Sequence, residues 1–165
     1  MEKIKRIGVM TSGGDSPGMN AAIRSVVRTC AYHEVDCIGI YHGYQGMISG
    51  DFIDLNARSV KGIINKGGTF LKSARSKEFL TKEGRQKAYD NLKAANIDAL
   101  VTIGGDDTAS TANRISKFLE EKNVHITNIH VPKTIDNDLP LPEGSPTFGY
   151  HSAKSEGVRI ATTIY

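Results

Sequence analysis

No stretch of this 165-residue sequence runs apolar for the ~18 residues of a membrane span, so a transmembrane helix is excluded by length alone. Met1 to Ile7 lead almost directly into a predicted strand, without the pattern of a signal peptide. There is no basic run, and the net charge is a mild +3. Nucleic acid is therefore an unsuitable partner, and a small phosphorylated substrate suits the scattered cations better. Only two cysteines occur, Cys30 on a predicted helix and Cys37 on a predicted strand. They read as buried, reduced thiols, which fits a cytoplasmic location. Two familiar nucleotide signatures are also missing. The glycine-rich stretch Thr11–Gly18 has neither the Gly-Lys-Ser/Thr of a Walker loop nor the G-x-G-x-x-G of a dinucleotide fingerprint. No Ser/His/Asp order and no Cys/His metal spacing stands out. His33, His42, His125, His130 and His151 are scattered, and each reads as an ordinary side chain.

What is present is a hydrophobic content of 39% against 24% charged residues, the balance of a soluble globular domain with a core of its own. Apolar runs predict strands at 4–10, 35–41, 52–55, 97–103 and 126–131. Helical spacing predicts helices at 19–32, 59–65, 81–95, 109–122 and 150–165, the last following a Pro/Gly-rich loop that ends at Gly149. Residues 42–46 read as a loop, with Tyr44 either stacking on a ligand or covering the edge of the core. This alternation predicts an α/β fold: a doubly wound, mainly parallel, Rossmann-like sheet with helices on both faces. In such a sheet ligands bind at the carboxyl ends of the strands. The loops at 11–18, 42–46, 104–108 and 132–138 all leave strands at that end. The loop Lys66–Arg75 follows a predicted helix and must be brought there.

The stretch Val101-Thr-Ile-Gly-Gly-Asp-Asp-Thr108 organises the rest. It reads as the end of a buried strand, a glycine turn, two carboxylates and a hydroxyl, with a helix beginning at Thr108 or Ala109. The glycines let a ligand approach the backbone, and the helix N-terminus offers free N–H groups to an anion. A helix cap at Asp107 or Thr108 would explain one acidic or hydroxyl residue, not the set. Two carboxylates beside a phosphate repel it unless a cation sits between them, so the stretch reads as a metal–phosphate site. Asp136 and Asp138 end the next strand. Adjacent strand ends lie about 5–10 Å apart, near enough to share one substrate. One acid can then hold Mg²⁺ together with phosphate oxygens and waters, and another can accept a proton from an attacking hydroxyl. Arg75 is the candidate to reach a transferring phosphoryl group, because a planar cation suits phosphate oxygens. Arg24 and Arg28, four residues apart on a helix, read equally well as a solvated face or as anion ligands.

Four segments, in order, resemble the phosphofructokinase family: Thr11-Ser-Gly-Gly-Asp-Ser-Pro-Gly-Met-Asn-Ala, Gly67-Gly-Thr-Phe-Leu-Lys-Ser-Ala-Arg, Ile103-Gly-Gly-Asp-Asp-Thr and Pro132-Lys-Thr-Ile-Asp-Asn-Asp. The resemblance implies phosphoryl transfer to the 1-hydroxyl of fructose 6-phosphate, with Mg²⁺ at Asp106 and Asp136 as general base. It puts Gly14, Ser76, Gly105, Asp106, Asp107 and Thr108 at the donor phosphates. It puts Thr134, Ile135 and Asp136 at the sugar phosphate, and Arg75 on the transferred group. Asp107 and Lys133 stand where ATP-using members have glycines, a pair similar to the pyrophosphate-dependent branch. A carboxylate at 107 would lie where the α-phosphate of ATP goes, a clash that pyrophosphate escapes, and Lys133 adds a charge for the leaving phosphate. The expected donor is therefore pyrophosphate, with ATP, or phosphate binding without catalysis, as the alternatives. The resemblance further implies that 1–165 is an N-terminal donor- and metal-binding lobe, and that a second, substrate-binding lobe is absent from this chain. The lobe alone is expected to bind phosphates weakly and turn over poorly. The complete enzyme is expected to be a homo-oligomer.

Overall fold

The computed structural model describes residues 4–139 and 141–164. Five strands form one sheet: β1 (Arg6–Thr11), β2 (Asp36–Ile40), β3 (Phe52–Leu55), β4 (Ala99–Gly104) and β5 (Thr127–Pro132). They lie in the order β3-β2-β1-β4-β5, and all neighbours are parallel except β2 and β3. The antiparallel edge arises because β2 and β3 are joined by a short helix that reverses the chain, whereas the parallel pairs are joined by longer crossovers. Strand residues alternate between the two faces. In β1, Val9 faces one core cluster and Met10 the other, and both are fully buried. Ile23, Val27 and Cys30 of α1 (Met19–Tyr32) cover the first face. Ala88 and Leu92 of α3 (Lys82–Ala94), with Ile115, Phe118 and Leu119 of α4 (Asp106–Glu121), cover the second. Both cysteines are free and buried, as their place in the pattern implies.

Three stretches depart from the sequence expectation. Of the expected loop 42–46, residues 43–46 belong to a helix, α2 (Gly43–Ser49), with Tyr44, Met47 and Ile48 turned into the core. Left-handed backbone at His42 and Gly50 bounds it, and the Gly50 N–H closes it on the Gly46 carbonyl. Its glycines hid the 44, 47, 48 spacing. Residues 59–65 are turns and no helix: the Asn56 side chain accepts from the N–H groups of Arg58 and Ser59, and Gly62 is left-handed (φ 70°). The helix after β4 starts at Asp106, two to three residues earlier than expected. α5 (Tyr150–Ile164) closes the described chain with no buried side chain, and Tyr165 lies outside the described residues. No described helix is long and apolar enough to cross a membrane.

Strands β1 and β4 are neighbours in the sheet, and their connecting helices leave toward opposite faces. The crevice outside their carboxyl ends is the switch point at which doubly wound sheets take ligands. The glycine loop after β1 and the Gly-Gly-Asp-Asp turn after β4 meet there, joined by the Ser12 N–H on the Ile103 carbonyl (3.0 Å).

Candidate functional site

The turn after β4 depends on Gly104. A β-carbon there would lie 2.5 Å from the Ser12 carbonyl oxygen and 2.5 Å from the Thr108 hydroxyl. The absent side chain is what lets the β1 loop and the start of α4 close on one another. Gly104→Ala is therefore expected to destabilise the fold by about 1–3 kcal/mol, the cost of over-packing. A urea midpoint within error of the parent protein's would contradict this contact.

Gly105 occupies the cap position of α4 in extended backbone and gives no side-chain bond. The alternative of a cap at Asp107 or Thr108 does not hold: Asp106 and Asp107 both lie inside the first turn and are exposed, while Thr108 is buried. Carboxylates in a first turn are stabilised by the helix dipole by about 0.3–1 kcal/mol, which explains how two can be tolerated side by side. The Thr108 carbonyl accepts a hydrogen bond from the buried Tyr44 hydroxyl (2.8 Å), fixing this turn to α2. Burial raises the Tyr44 hydroxyl above its ordinary pKa, so it stays a donor. Tyr44 therefore covers the core edge and, beside Phe79 (ring centroids 4.5 Å apart), also forms a wall of the cleft.

The 66–76 loop reaches the site through three tethers. Thr11 meets the Thr69 hydroxyl at 2.7 Å and donates to the Lys72 carbonyl. The buried Asn20 side chain donates to the Lys66 carbonyl and accepts from the Phe70 N–H. Ser73 donates to the Gly13 carbonyl. The result is a cleft of about 760 Å³ between the β1 loop, this loop and α4. Of the residues expected at the donor, Gly14, Arg75, Ser76, Asp107 and Thr108 line it. Gly105, Asp106, Lys133, Thr134, Ile135 and Asp136 stand outside its lining. Arg24 and Arg28 do not contribute to it either. Sequence reading missed Phe79, Thr111 and Arg114, all on its wall. The last two were legible: 107, 111 and 114 share one helical face.

Lys133 is not the solvated side chain that a loop lysine would suggest. It is only 6% exposed, and its ammonium donates to the Gly14 carbonyl at 2.6 Å, while its backbone N–H donates to the Gly104 carbonyl. Burial lowers its pKa, and the charges of Asp15 and Asp136 push the other way. One residue, through its ammonium and its backbone N–H, therefore ties the β1, β4 and β5 loops together. Asp136 sits on the exposed turn that follows, where its N–H donates to the Thr134 hydroxyl (3.2 Å).

Among the described residues no three His, Cys, Asp or Glu side chains cluster as a metal cage. The paired, exposed carboxylates of Asp106 and Asp107 are hard oxygen donors. They fit Mg²⁺, which takes one or two carboxylates and completes its shell with phosphate oxygens and water.

Beneath α4, the His130 Nδ1 lies 3.0 Å from the Thr102 hydroxyl, while its buried Nε2 has no partner. Burial lowers its pKa, and the Gly104 carbonyl opposes that. The folded state thus prefers neutral imidazole. As pH falls below the unfolded value of ~6.5, the unfolded chain gains a proton that the folded one resists, so stability drops. Thermal midpoints should fall more steeply between pH 7.5 and 5.5 for the parent protein than for His130→Gln. Parallel curves would contradict the assignment.

A family model described as phosphofructokinase matches residues 6–165. The chain is 52% identical over 150 residues to an ATP-dependent 6-phosphofructokinase of Halothermothrix orenii, covering 91% of this chain and 43% of that protein. It is 50% identical over 153 residues to ATP-dependent 6-phosphofructokinase 2 of Bacteroides thetaiotaomicron, covering 93% and 45%. The chain thus spans less than half the length of these relatives. Its fold matches the phosphofructokinase structure from Saccharomyces cerevisiae with a TM-score of 0.86 at 35% identity, over 97% of this chain and 24% of that one. It also matches a pyrophosphate-dependent phosphofructokinase from Marinobacter aquaeolei with a TM-score of 0.74 at 27% identity, over 84% and 36%.

Proposed function

The chain belongs to the phosphofructokinase family, and from that premise we propose that it forms the phosphoryl-donor side of a phosphotransferase acting on the 1-hydroxyl of fructose 6-phosphate. The observation that carries this reading is the convergence at Lys133. Its ammonium joins the β5 loop, which bears the candidate base Asp136, to the Gly14 carbonyl of the β1 loop, at the edge of the cleft lined by Asp107 and Arg75.

In this reading the donor phosphates lie along Gly14, Ser76 and the Gly105–Thr108 turn. The first-turn N–H groups of α4 face their oxygens. Arg75 and Lys133 hold the charge that develops on the transferred group and on the leaving phosphate. Asp136 takes the proton of the sugar hydroxyl, with Thr134 and Ile135 beside it on the acceptor. Asp106 would hold Mg²⁺, which when bound neutralises phosphate charge. The homo-oligomer implied by the resemblance belongs to the same proposal, and so does transfer that runs in both directions.

Two donors have support. The names of the curated relatives favour ATP over pyrophosphate. The side chains at 107 and 133 favour pyrophosphate, because Asp107 adds a negative charge to the cleft beyond the terminal phosphates and Lys133 adds a positive one beside Gly14. We propose pyrophosphate on the charges at 107 and 133 and keep ATP, which the relatives' names favour, as its competitor. Because the lobe alone is expected to turn over poorly, the test supplies the full-length parent of this chain with fructose 6-phosphate, Mg²⁺ and either donor, and measures fructose 1,6-bisphosphate. Product from pyrophosphate supports the first reading and product from ATP alone supports the second. No product from either would leave the chain as a phosphate-binding member without transfer.

A further inference from the structure

We propose that Thr147 is a positioning residue that fixes the Asp136 turn and couples it to the phosphate loop after β1. This deepens the proposed function and rests on the reading of Asp136 as base. Thr147 is separated from Asp136 by a Pro/Gly-rich excursion, yet it is 2% exposed in a neighbourhood of exposed residues. Its hydroxyl donates to the Thr134 carbonyl, and its N–H donates to the Asn137 side-chain oxygen at 3.0 Å. Both ends of the Thr134–Asn137 turn are thereby held by one residue. Asn137 itself is left-handed (φ 57°), a conformation that asparagine tolerates and most side chains resist. Within the turn the Asp136 N–H donates to the Thr134 hydroxyl, and Thr147 ties the turn at both of its ends.

The residues that follow fasten the pin to the donor side. The Phe148 ring packs on Gly18, at whose α-carbon a β-carbon would lie 2.9 Å from it. A β-carbon at Gly149 would collide with the Ser16 hydroxyl and the Pro17 carbonyl. The segment 147–149 thus touches the acceptor turn with its first residue and the end of the β1 loop, where α1 starts, with the next two. Any shift of one loop is transmitted to the other through three consecutive residues. In a transfer reaction, that contact sets the distance between the base and the donor phosphates, and a displacement of about 1 Å costs on the order of a hundredfold in rate.

Thr147→Val keeps the shape and removes the hydroxyl, Thr147→Ser restores the hydroxyl, and Asn137→Gly keeps the left-handed backbone while removing the acceptor at the other end. Thr147→Val should lower kcat for fructose 6-phosphate phosphorylation about a hundredfold, with KM for the donor within roughly twofold of the parent value. Thr147→Ser should recover most of that loss. Amide exchange should quicken at 134–137 and stay unchanged in β1 and β4. Should Thr147→Val fail to fold, Asn137→Gly gives the same two readings, with a rate loss of about tenfold from the single bond. Unchanged kcat, or exchange that quickens throughout β1 and β4 together with a rise in donor KM, would overturn the proposal. If the parent protein transfers nothing to the sugar from either donor, the proposed function fails on its own. Local exchange at 134–137 then decides the pin by itself: quickened there alone supports it, unchanged overturns it.

Discussion

Asp107→Gly combined with Lys133→Gly is expected to move donor preference from pyrophosphate toward ATP by about a thousandfold. The magnitude comes from one charge. Two unit charges ~4 Å apart cost about 4 kcal/mol at the effective dielectric of ~20 that suits a site near the surface. At 1.4 kcal/mol per decade this is roughly three powers of ten in affinity. Asp107 is exposed and lines the cleft; with the donor phosphates placed as proposed, its charge would face whatever lies beyond the terminal two. Lys133 acts from the other side. Its ammonium sits on the Gly14 carbonyl, and its removal takes away a cation that a leaving phosphate needs and that a nucleoside diphosphate needs less. The single variants should therefore differ in kind: Asp107→Gly admits ATP, and Lys133→Gly weakens pyrophosphate turnover. The measurement is the ratio of kcat/KM for the two donors in each variant. An unchanged ratio in the double variant would assign donor choice to other residues and leave ATP as the donor.

The second large effect is expected at Asp136. Replacing it with asparagine keeps the turn, the Thr134 hydroxyl bond to its N–H and the shape of the side chain. It removes only the basic oxygen. General-base catalysis contributes about 10²–10⁴ in rate, and kcat should fall by that factor while donor KM holds. One secondary consequence follows from Lys133, whose charged form Asp136 supports. With that carboxylate gone, the pKa of the lysine should fall further, and its ammonium signal, followed by NMR, should be lost at lower pH than in the parent protein. A kcat within a few fold of the parent value would exclude Asp136 as the base and move attention to Asp138 on the same exposed turn.

The parallel sheet and its helices were legible because their residues repeat at the periods of strand and helix. Val9 and Met10 alternate across β1, and Ile115, Phe118 and Leu119 share one side of α4. The errors fell where glycine or asparagine governs the backbone. α2 was concealed by Gly43 and Gly46 between its apolar residues. The turns at 59–65 read as a helix because the Asn56 bonds and the left-handed Gly62 leave no trace in periodicity. At the site, the loops that converge could be named from their place after strands. Their tethers could not, since Asn20 to Lys66 and Lys133 to Gly14 join residues 46 and 119 positions apart. The burial of Lys133 was equally invisible. A lysine after a proline in a loop reads as solvated until the loop it folds against is known.

The most direct measurement is a calorimetric titration of this chain with pyrophosphate and with ATP, each in Mg²⁺, repeated on Asp107→Gly. With pyrophosphate as the natural donor, pyrophosphate binds the parent chain more tightly than ATP, and the substitution raises ATP affinity while leaving pyrophosphate nearly unchanged. Equal or tighter ATP binding by the parent chain, with no gain in the variant, would contradict Asp107 as the charge that selects the donor.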